Sequence, residues 1–271
     1  MLRAKIVGAF FALLLLFGAF LLPQLKAVGR GASAVNKNDT QRTPVLVELF
    51  TSEGCSDCPP ADALLAKLDR SQPVPEAQLI VLSEHVDYWN YIGWKDPYSS
   101  HEYSLRQGAF AGHFGSGSVY TPQMVVDGHI ELVGSDERGA IEAIQNALRT
   151  EKTPVTLSSI RSEGNRIAMH VDVGPSPSGL SGRSGKILIA VADESDESNV
   201  VRGENAGRTL RHIAVVRDLS EVGTLDRSGK FSQDIAVNFN SGNKGNLRIV
   251  AFVQDPAEGT ILGAGSARLS N

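Results

Sequence analysis

A chain of 271 residues with 42% apolar and 21% charged side chains is long enough for one large domain or two small ones, and its composition excludes extensive disorder. Residues 1–34 hold four basic side chains and no acidic one, so the remainder carries 22 Lys and Arg against 30 Asp and Glu, a net of −8 that argues against nucleic acid as a partner. An acidic balance of this kind favours solubility, and no acidic or basic tail points to another partner.

Arg3 and Lys5 precede a 17-residue apolar stretch, Ile6 to Leu22, which Pro23 breaks. This is the pattern of an export segment, and Ala32-Ser33-Ala34 offers a small-residue cleavage site, although Lys26 and Arg30 stand before it. Residues 1–34 are therefore expected to be a removed signal peptide, or else an uncleaved membrane anchor, since 17 apolar residues reach the lower limit for spanning a bilayer. Either way the rest of the chain is expected outside the cytoplasm, periplasmic or secreted, where disulfides persist. Membrane contact follows only if the segment stays attached.

From Thr43 to Thr150, strand-like and helix-like segments alternate. The apolar, β-branched run Val45 to Thr51 predicts a strand. Cys55-Ser-Asp-Cys58 follows, and then Ala61, Leu64, Leu65 and Leu68 recur with helical spacing, with Pro59 and Pro60 suited to the first turn. Leu79 to Leu82 is the next strand, and the stretch from Ser83 to Pro97 gathers both tryptophans and two of the five tyrosines beyond its end. Gln123–Val126 and Ile130–Val133 flank Asp127-Gly128-His129, a strong hairpin signal. Asp136 is placed to cap a last helix with Ala140, Ile141, Ile144 and Leu148 on one face. Strand, helix, strand, helix-rich insert, hairpin, helix is a thioredoxin-like order: an α/β domain over residues 43–150, with a mixed sheet flanked by helices.

Residues 153–271 read as almost all strand. Ile167, Met169, Val171 and Val173 alternate with period two, as do Ile235, Val237 and Phe239; Ile187–Ala192 and Ile249–Val253 are continuous apolar runs of central strands. The expectation is a β-rich, sandwich-like part packed beside the first. Residues 175–185 read as a flexible loop.

Cys55 and Cys58 are the only cysteines. Two thiols supply half of a structural zinc set, and a bridge closing so short a loop adds little stability, so redox or metal chemistry fits the pair better than a static clip. At a helix start, unpaired backbone N–H groups favour a thiolate on Cys55, the attacking sulfur, with Cys58 as the resolving thiol. Asp57 opposes that thiolate and leaves the direction of electron flow open. In open α/β sheets ligands collect beyond strand ends, which draws His85, Asp87, Tyr88 and Trp89 towards Cys55; aromatic packing is the other reading of this stretch. His85, His113 and His129 raise a Cu(I) alternative in which Cys55, Cys58 and His85 are ligands; a non-catalytic interaction module is a third possibility. No cofactor is otherwise implied, and the partners of an exchange site are protein or small-molecule thiols and disulfides.

Glu48 to Asp62 (Glu-Leu-Phe-Thr-Ser-Glu-Gly-Cys-Ser-Asp-Cys-Pro-Pro-Ala-Asp), Val86-Asp-Tyr-Trp-Asn90, Tyr120-Thr-Pro-Gln123 and Gly203-Glu-Asn-Ala-Gly-Arg-Thr-Leu210 together resemble a bacterial secreted thioredoxin-like family catalogued as domain of unknown function 1223. The resemblance implies a cis Thr121–Pro122 bond opposite the cysteines, with Thr121 and Pro122 touching substrate. It also raises Glu48 as a proton acceptor for the resolving thiol, although Glu48 stands seven residues before Cys55, where the thioredoxin pattern has six, and a one-residue shift turns a strand side chain to the other face. Gly203 to Leu210 reads as a glycine-bearing turn before a strand around His212–Val216, with an accessory binding loop as the alternative.

Overall fold

The computed structural model describes residues 42–239 and 246–270. The N-terminal apolar segment, with the signal and anchor expectations, lies outside them. Among the described residues no helix is long and apolar enough to cross a membrane.

Strand β1 (Thr43–Thr51) is buried from Val45 to Thr51, so both of its faces are covered. Val45, Val47 and Leu49 pack with Ala61, Leu64, Leu65 and Leu68 of α1 (Pro59–Ser71) and with Ala140, Ala143 and Ile144 of α3 (Glu137–Ala147). On the other face Phe50 meets Phe110 of α2 (His101–Phe114) edge-on. Leu46, with Ile80 and Leu82 of β2 (Ala77–His85), packs instead against strands from the second half of the chain. Alternation along one strand thus sends its side chains to two cores.

Strand β1 pairs in parallel with β2 and antiparallel with β3 (Gln123–Val126), which turns into β4 (Ile130–Val133) through Asp127 and Gly128, both at positive φ. Asp136 caps α3 by accepting from the Gly139 N–H, as its position in the sequence predicts. Ser100 caps α2 in the same way through Glu102 N–H, and Gly115 ends that helix at positive φ.

The remaining strands are β5 (Val155–Glu163), β6 (Arg166–Val173), β7 (Lys186–Asn199), β8 (Thr209–Thr224), β9 (Phe231–Asn238), β10 (Asn246–Gln254) and β11 (Ile261–Ser270). Four of them extend the first sheet into an eight-stranded mixed sheet ordered β11-β10-β7-β8-β2-β1-β3-β4, with β8 joined to β2 at Ser83 and Val215. Strands β5, β6 and β9 form a separate three-stranded antiparallel sheet. Ile167, Met169 and Val171 of that sheet face Ile187, Ile189, Val191, Ile249 and Ala251 of the large one. The sandwich-like layer is therefore present, but one of its two sheets continues the sheet that carries the cysteines. Residues 150–153 mark a connection and not a break in the sheet, because apolar runs report burial and do not specify which strand lies alongside.

Candidate functional site

After Thr51 the chain leaves the sheet in a short loop that returns as α1. Cys55 N–H donates to the Ser52 carbonyl at 3.1 Å and Cys58 N–H to the Cys55 carbonyl at 3.3 Å. Cys58 is the N-cap of α1, and Pro59 and Pro60 fill the first turn, where a missing N–H costs no intrahelical hydrogen bond. Cys55 and Cys58 are joined in a disulfide with Cα atoms 5.4 Å apart. The sulfurs are covered, Cys55 being 2% exposed and Cys58 0%, while Ser56 and Asp57 between them face solvent.

Thr121 brings its carbonyl oxygen to 4.0 Å from Cys55 Sγ, and the Thr121–Pro122 bond is cis. Trp89 lies alongside: its indole N–H donates to Thr121 Oγ1 at 2.7 Å, and a Cβ at Gly54 would stand 2.9 Å from Trp89 Cβ, so only glycine fits before Cys55. Tyr88 is one step away, its hydroxyl donating to Gln107 Oε1 at 3.0 Å, and Gln107 in turn donates to the Tyr120 carbonyl at 2.7 Å. The strand-end aromatics and the Thr-Pro segment thus meet beside Cys55.

Glu48 belongs elsewhere. It points to the α2 side of β1, where Arg106 Nε donates to its Oε1 at 2.7 Å and also lies 3.5 Å from Glu84 Oε1. The seven-residue offset has the consequence that strand alternation gives it: Leu49, one residue on, packs against α1. The acid one turn into α1 from Cys58 is Asp62, buried, whose Oδ1 accepts from Thr51 Oγ1 at 2.9 Å.

Asp62 opens a buried polar cluster that sequence reading did not assemble. Its Oδ2 is 3.6 Å from His212 Nδ1, and His212 Nε2 is 3.2 Å from Glu53 Oε1. Trp94 Nε1 donates to Glu53 Oε2 at 2.7 Å, Glu53 N–H donates to Asp96 Oδ2 at 2.8 Å, and His85 Nδ1 lies 2.7 Å from the same oxygen. The rings of His85 and His212 meet edge to face with centroids 4.7 Å apart. Burial raises the Asp62 carboxyl above its ordinary range, against the pull of His212. Burial alone would push His85 down and Asp96 up, but their mutual attraction reverses both, so that His85 is held above the usual imidazole value and Asp96 below the usual carboxyl value. His85 is thus spent on Asp96. A lone His in a sequence carries no signal of such a partner; the acids Glu53, Asp62 and Asp96 at strand end, helix start and loop were the only hint.

The segment Gly203–Leu210 reaches the cysteine loop from the β7–β8 connection. Asn205 is fully buried, and its amide donates to the carbonyls of Glu53 and Cys55 at 2.9 Å each. Glu204 Oε2 accepts from Ser56 N–H at 3.0 Å, and Arg208 Nη1 donates to Asn205 Oδ1 at 2.9 Å. The segment is a turn, as its glycines predict, but one that clamps a loop about 150 residues away in sequence. Strands β7 and β8 run past their apolar stretches to carry it there, with exposed and covered residues alternating from Glu194 to Asn199.

His113 packs at the end of α2 against Gly259, and His129 follows the β3–β4 turn with Nδ1 3.3 Å from the Asp127 carbonyl. Among the described residues no three His, Cys, Asp or Glu side chains, the set Cys55, Cys58 and His85 included, are gathered to hold a metal ion.

A family model described as Protein of unknown function (DUF1223) matches residues 46–254. The chain belongs to this family. The DUF1223 match runs from β1 to the end of β10, so it spans the cysteine loop, the buried histidines and the Gly203–Leu210 clamp alike. Among solved structures, this DUF1223 chain is similar to protein AGR_C_4864 from Agrobacterium tumefaciens, with 25% identity, a TM-score of 0.61, and coverage of 83% of this chain and 94% of that one. It also shares its fold with HBP35 of Porphyromonas gingivalis, at 15% identity and a TM-score of 0.56, over 83% of this chain and 74% of that one. No curated protein matches the DUF1223 chain.

Proposed function

We propose that this DUF1223 protein exchanges thiols and disulfides through Cys55 and Cys58, on a thioredoxin-like unit formed by β1 to α3, in an exported compartment. The observation that carries the reading is the disulfide itself: it closes at the N-cap of α1, with the Thr121 carbonyl 4.0 Å from Cys55 Sγ. Cys55, the less covered of the two cysteines, is the one an attacking partner meets.

In the reduced protein Cys55 attacks a disulfide R–S–S–R′, forming Cys55–S–S–R and releasing R′–S⁻, which takes up a proton. Cys58 then gives up its proton and attacks the Cys55 sulfur, forming Cys55–S–S–Cys58 and releasing R–S⁻. Two electrons pass from the protein sulfurs to the substrate. Trp89 and Thr121 line the approach, and their Nε1–Oγ1 hydrogen bond holds the Thr121 peptide beside the sulfur. Equilibration in graded dithiothreitol buffers, followed by alkylation and mass measurement, tests the reading: Cys55 and Cys58 should gain and lose label together in one reversible two-electron transition. A disulfide that stays closed in every buffer, or opens without closing again, contradicts it.

A further inference from the structure

Resting on the exchange reading, we propose that the Glu204–Asn205 clamp sets the direction of electron flow: it makes the Cys55–Cys58 pair a reductant, which gives electrons to disulfides of partner proteins and is itself restored by a dithiol donor. Four observations point the same way. First, Ser56 N–H is the backbone donor next to Cys55 in the loop before α1, where a free N–H would serve a thiolate; the Glu204 carboxylate takes it at 3.0 Å. Second, Asn205 holds the carbonyls of Glu53 and Cys55, which fixes the loop in this closed form. Third, the charged groups around the loop are mostly acidic: Glu204 and Asp57 at the surface, Glu53, Asp62 and Asp96 beneath, against His85, His212 and Arg208, of which Arg208 is turned onto Asn205 Oδ1. Fourth, Cys55 is only 2% exposed.

The first, third and fourth of these disfavour negative charge on Cys55 sulfur, and only the reduced pair can carry that charge. The disulfide is neutral and loses nothing. Strongly oxidising pairs are those whose reduced form is stabilised by a favoured thiolate; here the surroundings do the opposite, so the closed pair is the stable one and the open pair a donor. In the productive direction Cys55 thiolate forms a mixed disulfide with the partner, Cys58 displaces it, and the partner leaves with two thiols. A dithiol donor then attacks Cys55–S–S–Cys58, forming its own disulfide and returning both thiols to the protein.

Glu204 is exposed and at a loop tip, so its substitution leaves the fold intact. Glu204→Gln keeps an acceptor for Ser56 N–H and removes the charge; Glu204→Ala also frees the N–H. The experiment equilibrates wild type and both variants with dithiothreitol and with glutathione buffers, and measures the Cys55 pKa by the pH dependence of its alkylation, with Glu137→Gln on α3, a surface carboxylate paired to Lys67, as the control for charge alone. Wild type should be reduced by dithiothreitol but stay oxidised in a glutathione buffer. Glu204→Gln should move the equilibrium towards the dithiol about threefold, about 14 mV, and lower the Cys55 pKa, while Glu204→Ala moves both further. The Glu204→Gln shift should shrink in high salt. A wild-type pair that glutathione reduces, or a Glu204→Gln protein with unchanged equilibrium and Cys55 pKa, overturns the proposal while leaving exchange intact. A pair with no reversible transition in either buffer overturns the exchange reading itself.

Discussion

Arg106 shows most plainly how one residue holds a buried arrangement together. Glu48 and Glu84 are both 0% exposed, and the guanidinium that serves both is sandwiched between Phe110 and Phe252, 4.9 and 5.3 Å from their ring centres. Removing the cation leaves two buried carboxylates without a partner, which typically costs about 3–5 kcal/mol. Burial, and then the neighbouring charge of Glu48, push the Glu84 carboxyl well above its ordinary range. A group whose pKa is raised on folding stabilises the protein fully at acid pH and loses that contribution as pH rises through the folded value. Arg106→Met should therefore lose about 3–5 kcal/mol at neutral pH and clearly less at pH 4.5. Urea unfolding at the two pH values checks this, and equal losses would show that packing, not charge, is what Arg106 supplies. The sequence alone showed Glu48 as an acid near the cysteines; its seven-residue offset was the legible sign that it faces the other way, while Arg106, 58 residues on, was not legible at all because only the folded α2 brings it there.

Elements whose own pattern decides them were readable. The face of α1, the Asp-Gly hairpin and the Asp136 cap each follow from local chemistry within about ten residues, and the structure has all three. Strands β5, β8 and β11 were less visible, β5 and β8 because exposed polar residues interrupt them. In β11 the reason lies in Gly263 and Gly265, which lower strand propensity but let β5 cross: a Cβ at Gly263 would stand 2.0 Å from the Thr153 carbonyl oxygen, while Thr153 N–H donates to the Leu262 carbonyl at 2.7 Å. The neighbour is backbone and has no rotamer to yield. Gly263→Ala should destabilise the protein by roughly 1–3 kcal/mol, seen as a lower urea midpoint with an unchanged slope. An unaltered midpoint would mean that the β5–β11 crossing is loose.

At the scale of the whole molecule the sequence suggests a division that the sheet does not make. Leu46, Ile80 and Leu82 of the cysteine-bearing half bury against Leu188, Ala190, Val250 and Phe252 from beyond residue 153, and Asn205 from that half secures the Cys55 loop. A fragment ending at Thr150 would expose that face to water and leave Arg106 without Gln254, to which Nη1 donates at 3.0 Å. Residues 42–150 made alone should show no cooperative unfolding transition, and a sharp thermal transition in the fragment would argue for an independent domain. The family resemblance marked the Gly203–Leu210 segment, yet its place at the cysteine pair depends on β7 and β8 carrying it there. The central claim, exchange through Cys55 with Cys58 resolving, is tested most directly by incubating reduced Cys58→Ser protein with a disulfide-bonded peptide and measuring its intact mass. One peptide should be found attached, through Cys55, and released by dithiothreitol. A Cys55 thiol that reacts with an alkylating agent yet never acquires the peptide would contradict the account.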